Sequence, residues 1–223
     1  MHRIVASDFE TTRSVPVLAD DEVHLWLVER PPRLSPRALS AAAHAEAGRL
    51  LMGYAGSAAP PAVARDAHGK PYVLDAGHPN FNLSHGGERI ALAFARRHAV
   101  GIDVEALRRR HSSLELAARF FDAAETRALA ALAAGERERA FVNLWTCKEA
   151  VLKALGRGLA FGLDRLRFEF DGDDPHGLAE IAAEAGAVAE WQVARFDAGP
   201  GHVGALAWRG PPLRVRAFAR AGE

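Results

Sequence analysis

The sequence predicts an α+β fold made of two lobes. Apolar runs of strand length are bounded by turn residues, as at 23–28, and Ala- and Leu-rich stretches have helical length, as at 35–54. Each half of the chain combines such helices with strands, and no repeat of 20–50 residues is visible. We therefore expect a loose lead-in over residues 1–21, an N-terminal lobe over 22–108 and a C-terminal lobe over 109–223.

The first lobe is predicted to begin with a strand followed by a helix. The helix starts after Ser35, a favourable N-cap, and Pro36 suits its first turn. Residues 56–62 form a break. The apolar runs 90–95 and 100–105 then predict an antiparallel hairpin.

The second lobe is predicted to follow the basic stretch Arg108-Arg109-Arg110-His111. Helical patterns cover 112–134 and 136–155, and Gly156 and Gly158 end the second of them. Further strands are expected at 166–170, 191–196, 202–208 and 213–218, with a hairpin turn at Asp197-Ala198-Gly199-Pro200-Gly201.

Composition excludes several classes of protein. Lys and Arg together number 28, as do Asp and Glu, and this balance argues against general nucleic-acid binding. A single cysteine, Cys147, cannot form an intrachain disulfide and fits a reducing cytoplasm. It lies within a helical pattern, so we interpret it as a packing residue. No apolar run is long enough to span a bilayer, and the first 21 residues lack the apolar core of a signal peptide.

Three acids carry the strongest chemical signal. Asp103 and Glu105, two residues apart on a strand, point to one face, and Glu149 lies on a later helix. Converging carboxylates favour a hard divalent cation, Mg²⁺ above all. Two simpler interpretations compete: the strand acids are solvated, and Glu149 forms an ordinary helix ion pair with Lys153, one turn later.

Two short loops add weaker signals. Gly69-Lys70-Pro71 holds a lysine between a permissive and a rigid residue, which suits an anion contact; taken alone, an ordinary turn with an exposed lysine is the better interpretation. Phe81-Asn82-Leu83-Ser84-His85-Gly86-Gly87 places a histidine and a hydroxyl where backbone can approach a ligand. A turn in which Ser84 and His85 bond local backbone explains that segment equally well.

Together these stretches resemble the signature of the 4′-phosphopantetheinyl transferases, in particular the two-lobed branch that activates peptide synthetases and acyl carriers. The resemblance rests on an ordered set of motifs: Gly69-Lys70-Pro71, Phe81-Asn82-Leu83-Ser84-His85, Val100-Gly101-Ile102-Asp103-Val104-Glu105, Phe120-Phe121 with Glu125, and Trp145-Thr146-Cys147-Lys148-Glu149-Ala150-Val151-Leu152-Lys153. It implies two pseudo-two-fold-related α+β lobes with coenzyme A between them. It also implies transfer of the phosphopantetheine arm of coenzyme A to a serine of an apo acyl or peptidyl carrier protein.

The resemblance also implies roles for individual residues. Asp103, Glu105 and Glu149 would gather Mg²⁺, with Mn²⁺ as an alternative, and Glu105 could act through water. Glu149 would take the serine proton, directly or through a water molecule. Help from water is expected because a carboxylate beside cations generally has a low pKa. Lys153 would stabilise the pyrophosphate. The coenzyme A contacts implied are Gly69, Lys70, Pro71, Ser84, His85, Lys148 and Arg49, the last in an Arg-x-Leu-Leu-like step.

The first helix departs from the family pattern. It is short and alanine-rich where relatives carry several basic residues. Arg33 and Arg37 are candidate replacements for the lysines that meet the 3′-phosphate. The basic stretch at 108–111 is a second candidate, although a solvated linker explains it better.

Two other functions stay open at this point. A non-catalytic module that binds coenzyme A or a nucleotide would keep the fold without needing all three acids and Lys153. A phosphohydrolase would use the same acids and Mg²⁺ to cleave coenzyme A without a carrier. For the transferase we expect a cytoplasmic monomer that binds neither membrane nor nucleic acid, and the sequence does not name its carrier.

Overall fold

The computed structural model describes residues 1–12, 14–30, 34–107, 113–171 and 174–221. It confirms the α+β class. The strands are β1 (His2–Ile4), β2 (Phe9–Thr11), β3 (Glu22–Glu29), β4 (Val63–Arg65), β5 (Pro71–Val73), β6 (Asn80–Gly86), β7 (Arg89–Ala95), β8 (Val100–Ala106), β9 (Leu166–Asp171), β10 (Asp174–Ile181), β11 (Trp191–Asp197), β12 (His202–Arg209) and β13 (Arg214–Ala221). The α-helices are α1 (Pro36–Ala55), α2 (Ser113–Phe120), α3 (Ala123–Ala131) and α4 (Ala134–Leu155).

The two long helices end where the sequence predicts. The Ser35 side chain accepts a hydrogen bond from the Ala38 amide at 3.2 Å, so it caps α1 as expected. Gly56 follows α1 and Gly156 follows α4, both with left-handed backbone that favours glycine. The ends of α4 matter most, because this helix carries Glu149 and Lys153.

Two main sheets form the centre of the protein. One has five strands in the order β2-β13-β3-β7-β6, and the other has four in the order β1-β11-β12-β8. The strands β11 and β12 pair antiparallel through the predicted hairpin, with Ala194 opposite Leu206. Two smaller ladders, β4 with β5 and β9 with β10, complete the pairing among the described residues.

The core is arranged in layers. Alternate residues of β3, such as Val23 and Leu25, face the four-stranded sheet, while Trp26 and Val28 face α1. On the far side, α4 packs on the four-stranded sheet in a cluster that includes Ala205 and other residues of β12. The order helix, sheet, sheet, helix explains why so many strands are apolar on both faces.

The predicted hairpin of 90–95 with 100–105 is wrong. The strand β7 pairs with β3 and β6, whereas β8 pairs with β12 in the other sheet. Both runs are buried on both faces, so their patterns fix that they are strands but not which strands they join. The hairpin partner of β7 is β6, a strand that sequence patterning did not predict.

The termini and the second helical segment also differ from expectation. The lead-in is not loose throughout, because β1 pairs with β11 and β2 pairs with β13. The final strand β13 lies in the same sheet as β3, so the sheets do not follow a simple division of the chain near residue 108. The helix expected over 112–134 is divided at Asp122, which caps α3 in a capping box with Glu125.

Candidate active site

The site forms where α4 packs directly against β8. A side chain at Gly101 would come within 2.1 Å of the Ala150 carbonyl oxygen and 2.2 Å of the Ala154 nitrogen. Only glycine permits the helix backbone to lie this close to the strand. Asp103 is the next residue of β8 on this face, so the close approach brings Lys153 of α4 beside it.

Asp103 is the centre of a short hydrogen-bonded chain. Its Oδ1 accepts from the Ser84 hydroxyl at 2.8 Å and from Lys153 Nζ at 2.7 Å, and Lys153 also donates to Ser84 Oγ at 3.0 Å. Asp103 is 4% exposed, so the interpretation of a solvated strand acid is wrong. The ordinary ion pair of Lys153 with Glu149 is likewise replaced by the contact with Asp103.

The second oxygen of Asp103 is the strongest sign of a cation site. Oδ2 is buried and accepts no hydrogen bond, which is costly for a carboxylate. Glu105 and Glu149 line the same cavity of about 340 Å³, so all three predicted ligands surround one space. Within the described ranges, however, no group of three Asp, Glu, His or Cys side chains lies close enough together to bind a metal ion without moving. The donors therefore fit Mg²⁺ in chemistry, and the carboxylates have to draw together around it.

The Glu149 carboxyl has a raised pKa, contrary to expectation. Burial is the main cause and the Asp103 charge adds to it, while Lys153 opposes; together they bring the pKa to about 7. The expectation of a low pKa assumed that neighbouring cations dominate, but desolvation is larger here. At neutral pH this carboxyl is poised between its two protonation states.

A second cavity of about 220 Å³ adjoins the first, with Leu83 and Lys153 in the walls of both. Besides Lys153, four basic side chains line it: His44, Arg65, His68 and Lys70. Arg65 bonds the His44 ring at 2.9 Å and the Gly69 carbonyl at 2.8 Å. The sequence did not predict these histidines and Arg65 as site residues, because α1 and the β4–β5 loop come together only in the folded chain.

The Gly69-Lys70-Pro71 turn lies in this second cavity, as the anion-contact interpretation requires. Lys70 is not exposed, however: its Nζ donates to the carbonyls of Val100 and Ala154, both at 3.1 Å. Burial lowers the pKa of Lys70 to about 8. A phosphate contact by Lys70 would therefore have to compete with these carbonyls.

Ser84 and His85 lie on a strand rather than in a turn. Both belong to β6, and both line the cavity with Asp103. Burial, together with the nearby Lys153 charge, lowers the pKa of His85, so it is neutral at neutral pH. A neutral imidazole can donate one hydrogen bond to a phosphate oxygen.

Lys148 lines neither cavity of the site and is held by protein groups, which argues against its assignment as a coenzyme A contact. Its side chain is fully buried, with Nζ 2.6 Å from Glu125 Oε2 and hydrogen bonds to the carbonyls of Leu163 and Leu166. Glu125 also accepts from the Phe168 amide at 2.8 Å. The pair therefore joins α3, α4 and β9, and its function is structural.

Arg49 is also engaged elsewhere. It pairs with the buried Glu46, which Arg220 and Arg30 approach from other elements, and it lines neither cavity of the site. Its predicted contact with coenzyme A therefore has no support from this conformation.

Arg37, a candidate for the 3′-phosphate, is exposed on the first turn of α1. The other candidates for that contact, Arg33 and the basic stretch 108–111, lie outside the described residues. Cys147 is fully buried, and burial raises its pKa to about 12, which confirms it as a packing residue.

Comparisons with known proteins match part of the chain. The family model described as the 4′-phosphopantetheinyl transferase superfamily matches residues 99–207, which include β8 and α4. The 4′-phosphopantetheinyl transferase Sfp of Bacillus subtilis is 38% identical over 97 residues, 44% of this chain and 42% of that protein. Over this segment the chain is similar to the 4′-phosphopantetheinyl transferase superfamily.

Other relatives carry the same family name. HetI of a Nostoc species is 38% identical over 98 residues, covering 43% of this chain and 41% of HetI. AcpT of Salmonella typhimurium is 39% identical over 111 residues, covering 49% of this chain and 57% of AcpT. The chain thus spans about half the length of the curated relatives it matches.

Proposed function

We propose that this protein transfers the 4′-phosphopantetheine arm of coenzyme A to a serine of an apo acyl or peptidyl carrier protein. The observation that carries the proposal is the Ser84–Asp103–Lys153 contact, in which a buried carboxylate oxygen has no partner. Lys153 stands between a cavity lined by acids and one lined by basic groups. Such a groove suits a ligand that carries a pyrophosphate in its middle and a further phosphate at one end.

Glu149 is the proposed general base. Its pKa is about 7 without a cation, and a bound cation would lower that pKa and keep the carboxylate ionised and able to accept a proton at neutral pH. It takes the proton of the carrier serine as the serine oxygen bonds to the phosphorus that bears pantetheine. The phosphorus–oxygen bond within the pyrophosphate then breaks, and its electron pair leaves with adenosine 3′,5′-bisphosphate.

Lys153 is the proposed partner of the pyrophosphate. Its Nζ contacts Asp103 and Ser84 of the acid cavity, and Lys153 also lines the basic cavity. An ammonium group at this position stabilises negative charge on the leaving phosphate and can give it a proton.

Asp103, Glu105 and Glu149 are the residues that would hold Mg²⁺, with Mn²⁺ as the alternative. The ion would offset the negative charge of the pyrophosphate. The unpartnered Oδ2 of Asp103 is the first ligand expected, because it has no other contact to lose.

Coenzyme A is proposed to place its nucleotide end in the basic cavity. Arg65 and the neighbouring histidines supply donors for the 3′-phosphate, in place of the basic residues that α1 lacks. His85 and Ser84 lie nearer the pyrophosphate. If this assignment is right, Arg65→Ala should weaken the binding of coenzyme A rather than slow the transfer step.

The location and assembly of the protein follow the same proposal. No helix in the described ranges is long and apolar enough to cross a membrane. We propose a cytoplasmic monomer whose partner presents an acidic helix beside the modified serine. A single chain supplies every residue of the site, so no second copy is needed.

The decisive experiment is intact-mass spectrometry of a panel of apo carrier proteins incubated with this protein, coenzyme A and Mg²⁺. The proposal predicts a mass gain of one phosphopantetheine, which EDTA abolishes. Release of adenosine 3′,5′-bisphosphate without any carrier would favour a phosphohydrolase. Binding of coenzyme A with no mass gain on any carrier would favour a non-catalytic binding module.

A further inference from the structure

The strand that carries Asp103 lies at the edge of its sheet. Among the described strands it pairs with β12 alone, and its other edge faces β6, which is itself the edge strand of the other sheet. Backbone groups along a buried free edge need partners that a strand would otherwise supply. The two sheets therefore meet along a line where hydrogen bonding has to be completed by other groups.

Side chains complete the hydrogen bonding along this edge of β8. Alternate residues of a strand direct their backbone groups to the same edge, here Val100, Ile102 and Val104. The carbonyl of Val100 accepts from Lys70 Nζ at 3.1 Å, and the amide of Ile102 donates to Asn82 Oδ1 at 3.0 Å. We call this line of contacts, made by Lys70, Asn82 and Gly86 with β8, the β6–β8 seam.

The third contact, at Val104, explains why residue 86 is a glycine. A side chain at Gly86 would lie 2.5 Å from the Val104 carbonyl oxygen, so the strands can approach there only without one. The seam therefore fixes β8 at three points, and its central point is the amide that immediately precedes Asp103.

Asn82 and Ser84 act on the same acid from neighbouring positions of one strand face. Ser84 bonds the Asp103 side chain, while Asn82 bonds the backbone next to it. Asn82 is 4% exposed, so its amide oxygen is fixed in a buried setting. The Lys153 contact with Asp103, at 2.7 Å, depends on where this segment of β8 is held.

We propose that Asn82 is a positioning residue that sets the Asp103 carboxylate against Lys153; its kinetic consequence rests on the transferase function proposed above. Asn82→Leu keeps the branched shape and the number of side-chain heavy atoms but removes the acceptor of the Ile102 amide. Asn82→Asp keeps an oxygen at that place and serves as the conservative variant. Asn143→Leu is the matched control, because Asn143 is also buried, its side chain donates to Asp174 of β10 at 3.1 Å, and it lines neither cavity of the site.

The test combines NMR amide exchange with steady-state kinetics of carrier modification. Asn82→Leu should speed exchange of the Ile102 amide at least tenfold and lower kcat at least tenfold, with KM for coenzyme A changed less than threefold. Asn82→Asp should keep the amide protected and recover most of kcat. Asn143→Leu should change neither kcat nor KM, even where it lowers stability.

Several outcomes would overturn the inference. They are unchanged Ile102 exchange in Asn82→Leu, a kcat within twofold of wild type, or a loss confined to KM, which would make Asn82 a ligand contact. An inactive wild-type protein would instead refute the transfer reaction itself. The two failures are thus distinguishable, because the exchange measurement does not require activity.

Discussion

Two faces of helix α4 carry lysines with opposite fates. Lys153 faces β8 and β6, where it contacts Asp103 and borders both cavities. Lys148 faces α3 and β9, where Glu125 and two carbonyls satisfy its ammonium completely. Both lie in one motif, a few residues apart, and the helical period separates them.

The difference lies in what remains unsatisfied. On the Lys148 face, both oxygens of Glu125 have partners, so nothing is left to bind a ligand. On the Lys153 face, Asp103 keeps a buried oxygen without a partner and Glu149 has a raised pKa. Incomplete satisfaction of buried charge distinguishes the proposed active site from a structural ion pair on the same helix.

The largest effect on stability is expected from Lys148→Met. This change leaves Glu125 buried without its cation, at a cost of about 3–5 kcal/mol in the free energy of unfolding. Urea unfolding measures it. The double variant Glu125→Leu with Lys148→Met should recover part of the loss, because no charge is then buried alone, although the Phe168 amide loses its acceptor. If Lys148→Met alone were as stable as wild type, the structural role of Lys148 would be contradicted.

Asp103→Asn is expected to act on rate instead. It removes the charge that faces Lys153 and the proposed cation, so kcat should fall roughly 10²–10³-fold, or about 3–4 kcal/mol in activation free energy. Carrier modification followed by mass spectrometry gives the rate, and urea unfolding should show a folded protein. Full activity in the folded variant would remove Asp103 from the mechanism.

Gly101→Ala tests the close approach that joins the two regions. The new methyl group collides with the α4 backbone, so we expect a loss of about 1–3 kcal/mol in stability and a slower transfer as Lys153 moves from Asp103. Gly135→Ala is the control on the same helix, because a side chain there meets nothing within 4 Å. Alanine at that position should be neutral or stabilising. Equal behaviour of the two variants in urea would contradict this packing.

Glu149→Gln is expected to give the smallest effect on stability, with a sign that depends on pH. The folded pKa of about 7 lies above the ordinary value of 4.5, so the wild type gains stability below pH 4.5 and loses it as pH rises through 7. At pH 8 in EDTA the free energy of unfolding of the variant should therefore exceed that of wild type by about 1–2 kcal/mol. At pH 4.5 the variant should show no such advantage. An unchanged or lower stability at pH 8 would contradict the burial of this charge.

Local patterns in the sequence predict much of the fold and of the acid cavity. The period of α4 puts Glu149 and Lys153 on one helix face, and the strand alternation of β8 puts Asp103 and Glu105 on one strand face. The packing of these two faces against each other is seen only in the folded chain. The pairing of β8 with β12 was not predictable, because a strand buried on both faces carries no mark of its partner. Arg65 and His44 lie far apart in sequence, and their contact depends on the tertiary fold.

Lys148 shows the limit of motif reasoning most clearly. It stands beside Glu149 in the sequence, yet its burial depends on Glu125 and on two carbonyls that follow α4. The capping-box spacing of Asp122 and Glu125 was readable, but the second partner of Glu125 was not. A charged residue next to a proposed catalytic residue can therefore belong to the scaffold.

The most direct test of the account is a time course of intact carrier mass with three forms of the protein. Wild type and the Glu125→Leu, Lys148→Met double variant should both add one phosphopantetheine in the presence of Mg²⁺, while Asp103→Asn should add almost none. No addition by wild type on any carrier, or equal rates for wild type and Asp103→Asn, would contradict the proposal that the β8 face of α4 is the active site.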